Sequence, residues 1–353
     1  MLSEKQLSEI RMHLEKAQKP IFLYDNDIDG LCSSILLMKY SGRGKAVAVR
    51  TNPDVGANYA KKVQELNADY VFVLDRHSLG KEFVEEIAKL QLPIVWIDHH
   101  DTHSMDYSYE NIYVYNSMKS RKKSNEPVTY WAYRIANRRE YMWIAMIGCI
   151  SDHFMPPFAK EFGKNFPECW EKGNIKDPFY ALFKTEIGRY ARALSFGLKD
   201  SVTHVVYLQN FLVKCKSPSE IPNELEGNGS FAKRYREIKN KYDSLMEKAK
   251  TCMSEKDKLI FFSYGGNLSI SAEIANELSF LFPDYCIIAA YNAGSMSNLS
   301  IRGKEVRQAL EKTLPKFDNS TGGGHEDAVG ARLQTDDLER FKEEFIKTFS
   351  EKK

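Results

Sequence analysis

The chain has 353 residues, with 50 lysines and arginines against 48 aspartates and glutamates, for a formal net charge of +2. That length holds two domains and a substantial core, and the near-neutral balance argues against a bulk polycation, although a local basic groove needs only the right distribution. Six scattered cysteines with no C-x-x-C pair argue against a zinc knuckle or a disulfide framework; with no apolar run of membrane-spanning length and no secretory signal, a cytoplasmic protein with reduced thiols is expected.

Ser3 to Lys16 reads as an amphipathic helix with Leu7, Ile10 and Leu14 on one side. A strand over Ile21 to Tyr24 follows, then Asp25-Asn-Asp-Ile-Asp-Gly30 and a helix over about Leu31 to Lys39. Strands are expected at Ala46 to Arg50 and at Tyr70 to Leu74, the latter running into Asp75. A helix over Lys81 to Leu90 leads to the strand Ile94 to Ile97, which delivers Asp98-His99-His100. A short strand at Ile112 to Tyr115 and two helices within Pro127 to Ile150 bring the chain to Asp152. Such alternation of strands and helices predicts an α/β domain with a doubly wound parallel sheet. Phe158 to Leu212 carries interrupted helical patterns, and loop chemistry marks Lys216 to Asn223 and Glu226 to Ser230. A long charged helix over Phe231 to Met253 reads as a linker to a second, smaller α/β unit, with strands at 259–263, 285–291 and 296–302 and a helix at 271–281. Thr321 to Gly330 reads as a glycine-rich loop before a closing strand and a final helix from Asp336.

Four acidic positions share one setting, the end of an apolar element: Asp25/Asp27/Asp29, Asp75, Asp98-His99-His100 and Asp152. In an open parallel sheet the carboxyl ends of neighbouring strands converge on one crevice. Carboxylates crowded there repel one another unless cations join them. Oxygen donors with one or two imidazoles suit manganese or magnesium, and carboxylates that can bridge suggest a pair of ions suited to in-line phosphoryl displacement. Taken singly, each motif has an ordinary alternative. Asp75 could cap a helix, Asp152 could sit in a solvated turn, and the first motif could be a calcium loop, although apolar Leu31 to Met38 lacks the later glutamate. His77 and His103 read as exposed loop histidines, and His153 as the best additional candidate. Arg121-Lys-Lys123 and Arg138-Arg139 read as solvated charge runs, and Tyr130, Trp131, Tyr133 and Trp143 as core. In the C-terminal part, Gly322, Gly323 and Gly324 let backbone N–H groups approach an anion. His325 adds a donor and Arg302 a planar fork for phosphate, with Asn298 and Ser300 as polar neighbours.

These motifs resemble those of the DHH phosphoesterase superfamily and, within it, the RecJ-like branch. Asp25 to Gly30 corresponds to the first motif in its RecJ form, where other branches carry His-x-x-Pro-Asp-x-Asp. Asp75, Asp98-His99-His100 and Asp152 correspond to the second, third and fourth. Thr321 to Gly330 resembles the Gly-Gly-Gly-His-x-x-Ala-x-Gly signature of the DHH-associated C-terminal domain, and Ser300-Ile-Arg302 its Ser-x-Arg element. The resemblance implies a catalytic DHH domain with a helical extension over 1–213, a linker and long helix over 214–256, and a substrate-binding DHH-associated domain over 257–353, with the cleft between the domains. It implies two divalent ions, Mn2+ rather than Mg2+, held by Asp27, Asp29, Asp75, His99 and Asp152, with Asp75 bridging. Asp25 is either a ligand or a carboxylate behind the ligands; the histidine that precedes the first motif in the family is Leu23 here. His100 would contact the scissile phosphate, and Asp98 would orient a histidine. The implied activity is two-metal hydrolysis of phosphodiesters by a single-strand exonuclease acting on DNA or RNA and releasing mononucleotides, with replication or repair proteins as partners. A phosphodiesterase for nano-RNA, dinucleotides or cyclic dinucleotides is the alternative, and a non-enzymatic replication scaffold is the third reading.

Overall fold

The computed structural model describes the whole chain apart from residues 52–53, 102–109, 121–122, 172, 174 and 351–353. It divides into two compact units, Met1–Tyr235 and Arg236–Lys353.

In the first unit α1 (Glu4–Lys16) starts at a capping box in which Ser3 and Gln6 satisfy each other's backbone N–H groups. Then come β1 (Pro20–Asp25), α2 (Ile28–Ser41), β2 (Lys45–Val49), α3 (Asn58–Glu65), β3 (Tyr70–Leu74), α4 (Lys81–Lys89), β4 (Ile94–Asp98) and β5 (Ile112–Asn116). The five strands form one parallel sheet in the order β2-β1-β3-β4-β5. Both faces are covered. Phe22, Tyr24, Phe72, Leu74, Val95 and Ile97 pack on the side of α1 and α2, whereas Ile21, Leu23, Val71, Val73, Ile94 and Trp96 pack with residues of α3 and α4. Two covered faces explain why β1, β3 and β4 read as unbroken apolar runs rather than alternating ones. The first face is completed by α5 (Val128–Ala136) and α6 (Met142–Ser151), and the chain continues through α7 (Ala159–Asn165), α8 (Pro178–Lys184), α9 (Glu186–Leu198), α10 (Val202–Lys214) and α11 (Ile221–Glu226). The helix α12 (Ser230–Thr251) contains the division between the units.

The second unit adds β6 (Met253–Ser254), β7 (Leu259–Gly265), α13 (Ser271–Leu281), β8 (Cys286–Ala293), β9 (Met296–Arg302), α14 (Val306–Thr313), β10 (Thr321–His325), β11 (Ala328–Gln334) and α15 (Leu338–Ser350). Its sheet runs β10-β11-β9-β8-β7-β6, antiparallel except for the β7–β8 pair. Ile288, Ala290, Leu299, Ile301, Val329 and Leu333 share a core with Phe341 and Phe345 of α15, and α13 packs against β8 and β9.

Three expectations are corrected. The helix α3 was unread: it is short, and its buried Tyr59, Ala60 and Val63 make less than two turns of pattern. Lys216 to Asn223 is not a loop. Ser217 and Glu220 form a capping box and prolines occupy the opening positions of the short helices that follow, so its Ser and Pro mark helix starts. Thr321 to Gly330 is a hairpin, with β10 paired to β11 from Thr321↔Arg332 to His325↔Ala328. Gly324 has φ +142, and a Cβ there would lie 2.5 Å from the carbonyl oxygen of Ala328, so glycine at this position serves a close strand pairing. Among the described residues no helix is long and apolar enough to cross a membrane.

Candidate metal centre

The sheet order reverses between β1 and β3, and in a doubly wound sheet this switch point is where ligands sit, at the carboxyl ends of the strands. Those ends carry the acidic motifs. Asp75 follows β3 with φ +58, a left-handed conformation that stops the strand, while its N–H still donates to Ile97 O at 3.0 Å. Asp27 caps α2, its Oδ1 accepting from Gly30 N–H at 2.9 Å. Gly30 is dictated by packing, because a Cβ would fall 2.3 Å from Asp25 O. Asp29 lies in the first turn of α2 and reaches α5, whose own N-cap, Pro127, has no capping side chain. The carboxylate supplies the cap: Val128 N–H donates to Oδ2 at 2.8 Å and Thr129 N–H to Oδ1 at 2.7 Å. Asp152 is the residue that ends α6.

Two donor sets result. His99 Nε2 lies 3.3 Å from Asp75 Oδ1, 3.7 Å from Asp152 Oδ2 and 3.9 Å from Asp29 Oδ2. In the second set Asp25, Asp27 and Asp75 each offer a carboxylate oxygen, all within 4.8 Å of one another. Asp75 is in both. Its Oδ1 is buried with no hydrogen-bond partner among the described residues, and so is Nδ1 of His99. A buried carboxylate oxygen left unpaired is costly, and here it lies 3.3 Å from His99 Nε2 and 3.8 Å from His100 Nδ1. Burial, then Asp29, Asp27, Asp25 and Asp152, push Asp75 well above the usual carboxylate range. Asp152, about a third exposed, is pushed up to about 7 by lost hydration, with the charge of His99 opposing. Carboxylates gathered with one or two imidazoles, among them a buried carboxylate oxygen without a hydrogen-bond partner among the described residues, fit divalent cations of the manganese or magnesium type.

His100 stands at the rim of these sets. Its Nδ1 is 2.7 Å from Asp98 Oδ1, and Asn116 Nδ2 donates to Asp98 Oδ2 at 3.0 Å and to His100 O at 2.9 Å. Burial alone would lower the His100 pKa, but the hydrogen bond and charge of Asp98 outweigh it and hold the group at about 9. The ring is therefore a cationic donor at neutral pH. His77 is half-buried rather than looped into solvent, its ring 6.0 Å from that of His100. His153, with φ +53, stacks on Phe179 at 4.1 Å. His103, Arg121 and Lys122 lie outside the described residues. Leu23 faces the core on the other side of the sheet, beside Val71 and Val73. Trp131 and Trp143 are fully buried.

Two residues of the centre were missed. Asn116 ends β5 as the acidic residues end β1 and β4, so its position was readable. Arg76 follows Asp75 directly. It is 3% exposed and donates from Nη1 to Asp25 Oδ1 at 2.6 Å. A cavity of about 380 Å³ opens beside Asp25 and Arg76, lined also by Arg50, Thr51, His77 and Lys199.

In the second unit Asn298, Ser300 and Arg302 alternate along one face of β9. Cross-strand rows run Ser300–Gly330–Gly323 and Arg302–Ala328–His325. A Cβ at Gly323 would meet nothing within 4 Å, so the row opens onto a bare backbone shelf, with Gly322 and Gly324 on the opposite face. Arg302 is fixed by Asn276 Oδ1, to which Nε donates at 2.6 Å, and burial pulls its pKa down to about 10. Ser300 Oγ lies 3.0 Å from Ser271 Oγ.

A parallel sheet whose switch point gathers carboxylates and imidazoles has the plan of a metal-dependent hydrolase. Residues 21–148 match the model of the DHH family, N-terminal domain, so this part of the chain is a DHH domain. No curated protein matches the chain in sequence. In structure it is similar to RecJ in complex with Mn2+ from Thermus thermophilus, at 13% identity and a TM-score of 0.68, over 98% of this chain and 55% of that one. This chain thus spans little more than half the length of that RecJ. It is also similar to an exonuclease RecJ bound to manganese (16% identity, TM-score 0.58, covering 98% of this chain and 94% of that one). A third likeness is an exopolyphosphatase-related protein from Bacteroides fragilis (12% identity, TM-score 0.55, 98% and 97%). At such identities these are likenesses of fold, and the fold is RecJ-like.

Proposed function

We propose that the chain is a two-metal phosphodiesterase that removes mononucleotides from an end of single-stranded nucleic acid. The observation that carries this reading is Asp75, whose buried Oδ1 has no hydrogen-bond partner among the described residues and lies 3.3 Å from His99 Nε2, and whose carboxylate also groups with those of Asp25 and Asp27. In this reading Asp29, Asp75, His99 and Asp152 hold one ion and Asp25, Asp27 and Asp75 the other. Bound there, divalent cations supply Lewis-acid activation of water and neutralise charge developing at phosphorus. His100, kept cationic by Asp98, donates to a non-bridging oxygen of the scissile phosphate. Asn116 keeps Asp98 and the His100 backbone in register. The cavity lined by Arg50, Arg76, His77 and Lys199 favours an anionic chain beside the metals. On the second unit, Gly322, Gly323 and Gly324 with His325, Arg302, Ser300 and Asn298 receive a phosphate. The RecJ form of the first motif and the fold likeness to exonuclease RecJ over nearly its full length favour a phosphodiester over a phosphoanhydride.

The test is a substrate panel with Mn2+: single-stranded DNA and RNA labelled at either end, a dinucleotide, a cyclic dinucleotide and polyphosphate. Stepwise loss of mononucleotides from one end of long strands is expected. Hydrolysis of polyphosphate alone would replace the reading with a phosphoanhydride hydrolase, and fading activity beyond a few nucleotides would replace it with a short-substrate enzyme.

A further inference from the structure

Arg76 has a place in the centre that the motifs do not account for. Its guanidinium is buried and fixed at both edges, Nη1 donating to Asp25 Oδ1 at 2.6 Å and Nη2 to Thr51 O at 2.9 Å. Its carbonyl accepts from Trp96 Nε1 at 2.7 Å, so backbone and side chain are both held. The oxygen it binds belongs to one of the three carboxylates of the Asp25–Asp27–Asp75 set, and that oxygen also accepts Asn26 N–H at 3.0 Å. Among the described residues this set, Asp25, Asp27 and Asp75, is all carboxylate, and Leu23, two residues before Asp25, packs into the core with Val71 and Val73. The other set differs in each respect. It has the His99 imidazole, and the extra bonds to Asp29 come from neutral backbone amides, which orient the carboxylate without cancelling its charge.

We infer that Arg76 is an internal counter-cation that positions Asp25 and keeps the Asp25–Asp27–Asp75 site weak, so that the two ions bind unequally. The inference rests on the two-metal reading above. A permanent charge bonded to one ligand of three, in a partly desolvated pocket, opposes an incoming dication directly, and salt screens such buried charges poorly. The His99 set fills first and tightly. The all-oxygen set fills second, and the phosphate of a substrate in the adjoining cavity offsets the field of Arg76 and draws that ion in. Arg76 acts through Asp25 and is a positioning residue. The donor chemistry adds a preference: an imidazole-containing set suits Mn2+, whereas an all-carboxylate set accepts Mg2+ as readily.

The test needs no turnover. Mn2+ is titrated into the metal-stripped full chain at neutral pH without substrate, and free Mn2+ is read from its electron paramagnetic resonance signal. The wild type should show one tight and one weak class of site. Arg76→Met should tighten the weak class by about tenfold or more and leave the tight class unchanged. Arg76→Lys, which keeps the charge, should leave the weak class within about threefold of wild type. Asp25→Asn should remove the weak class alone. If Arg76→Met does not fold, Arg76→Gln carries the same expectation. A weak class unchanged or further weakened in the neutral variant overturns the inference while leaving the two-metal reading intact. A wild type that binds two Mn2+ ions in one class overturns the inference alone, and one that binds a single ion or none overturns both.

Discussion

Asp75→Asn separates a residue kept for its charge from one kept for its shape. The side chain is 2% exposed and its backbone is left-handed, a conformation that asparagine adopts at least as well. The substitution is nearly isosteric, so it leaves no cavity. It changes the electrostatics: an oxygen of Asp75 lies within 4.8 Å of oxygens of Asp25 and Asp27. Two unit charges at that distance repel by about 3 kcal/mol at an effective dielectric of 20. Arg76 already neutralises Asp25, so one such pair is relieved, and proton uptake by the wild type reduces the gain to about 1–3 kcal/mol. The folded pKa of Asp75 is raised, so in wild type its contribution favours the fold below the unfolded carboxylate pKa and is lost as pH rises through the folded value. At pH 8 in chelator, Asp75→Asn should therefore melt higher than wild type, by roughly 3–10 °C for a unit of this size. With Mn2+ at a hundredfold its dissociation constant, wild type should gain about 2.7 kcal/mol and the variant almost none. Thermal denaturation with and without Mn2+ checks both halves. A variant that melts below wild type in chelator, or that keeps the full Mn2+ shift, would refute the bridging role.

Asp29→Ala should cost about 3 kcal/mol in urea denaturation of the metal-free protein, because it leaves two buried amides at the start of α5 unsatisfied; Asp29→Asn, which keeps one acceptor, should cost about half as much, and equal losses would show that the cap is not made by this side chain. Asp98→Asn should lower the His100 pKa markedly from about 9, since burial would then be opposed by the charges of Asp152 and Asp27 without the bond and charge of Asp98. Ring NMR titration reads this, and an unmoved value sinks the proposed pairing. Mn2+ binding at pH 7 should release protons from the carboxylates whose pKa values are raised, Asp75 and Asp152 foremost. Calorimetry in buffers of different ionisation enthalpy measures the release, and none is compatible only with carboxylates already ionised.

The sheet was legible because both of its faces are buried: apolar runs such as Tyr70 to Leu74 have no other reading at that length, and each ends on a polar residue that has to turn away. For the same reason the acidic residues could be grouped by position alone. Arg76 was not legible, since an arginine beside a strand-end aspartate has the same sequence whether it points to solvent or folds back on Asp25. The trans cap from Asp29 to α5 joins residues about a hundred apart, beyond any local pattern. The glycine run of β10 hid a strand because glycine is poor at announcing one; its pairing comes from β11, where Val329, Ala331 and Leu333 alternate inward.

The charges of the centre bear on how many ions it was shaped to hold. Asp25, Asp27, Asp29, Asp75, Asp98 and Asp152 face one another across the switch point, and the cationic groups bonded among them are Arg76, on Asp25, and His100, on Asp98. Each of those pairs is locally neutral. That leaves Asp27, Asp29, Asp75 and Asp152, the last three lying within 3.9 Å of the ring of His99. A single divalent ion would cancel half of that charge and leave the remainder within a few ångströms in a partly desolvated pocket, where it must either repel or take up protons. Two ions cancel it. The metal-free protein discharges the same excess with protons, which is why burial and mutual repulsion push Asp75 and Asp152 upward. Proton uptake and metal uptake are thus alternative solutions to one electrostatic problem set by the parallel sheet when it brings these strand ends together.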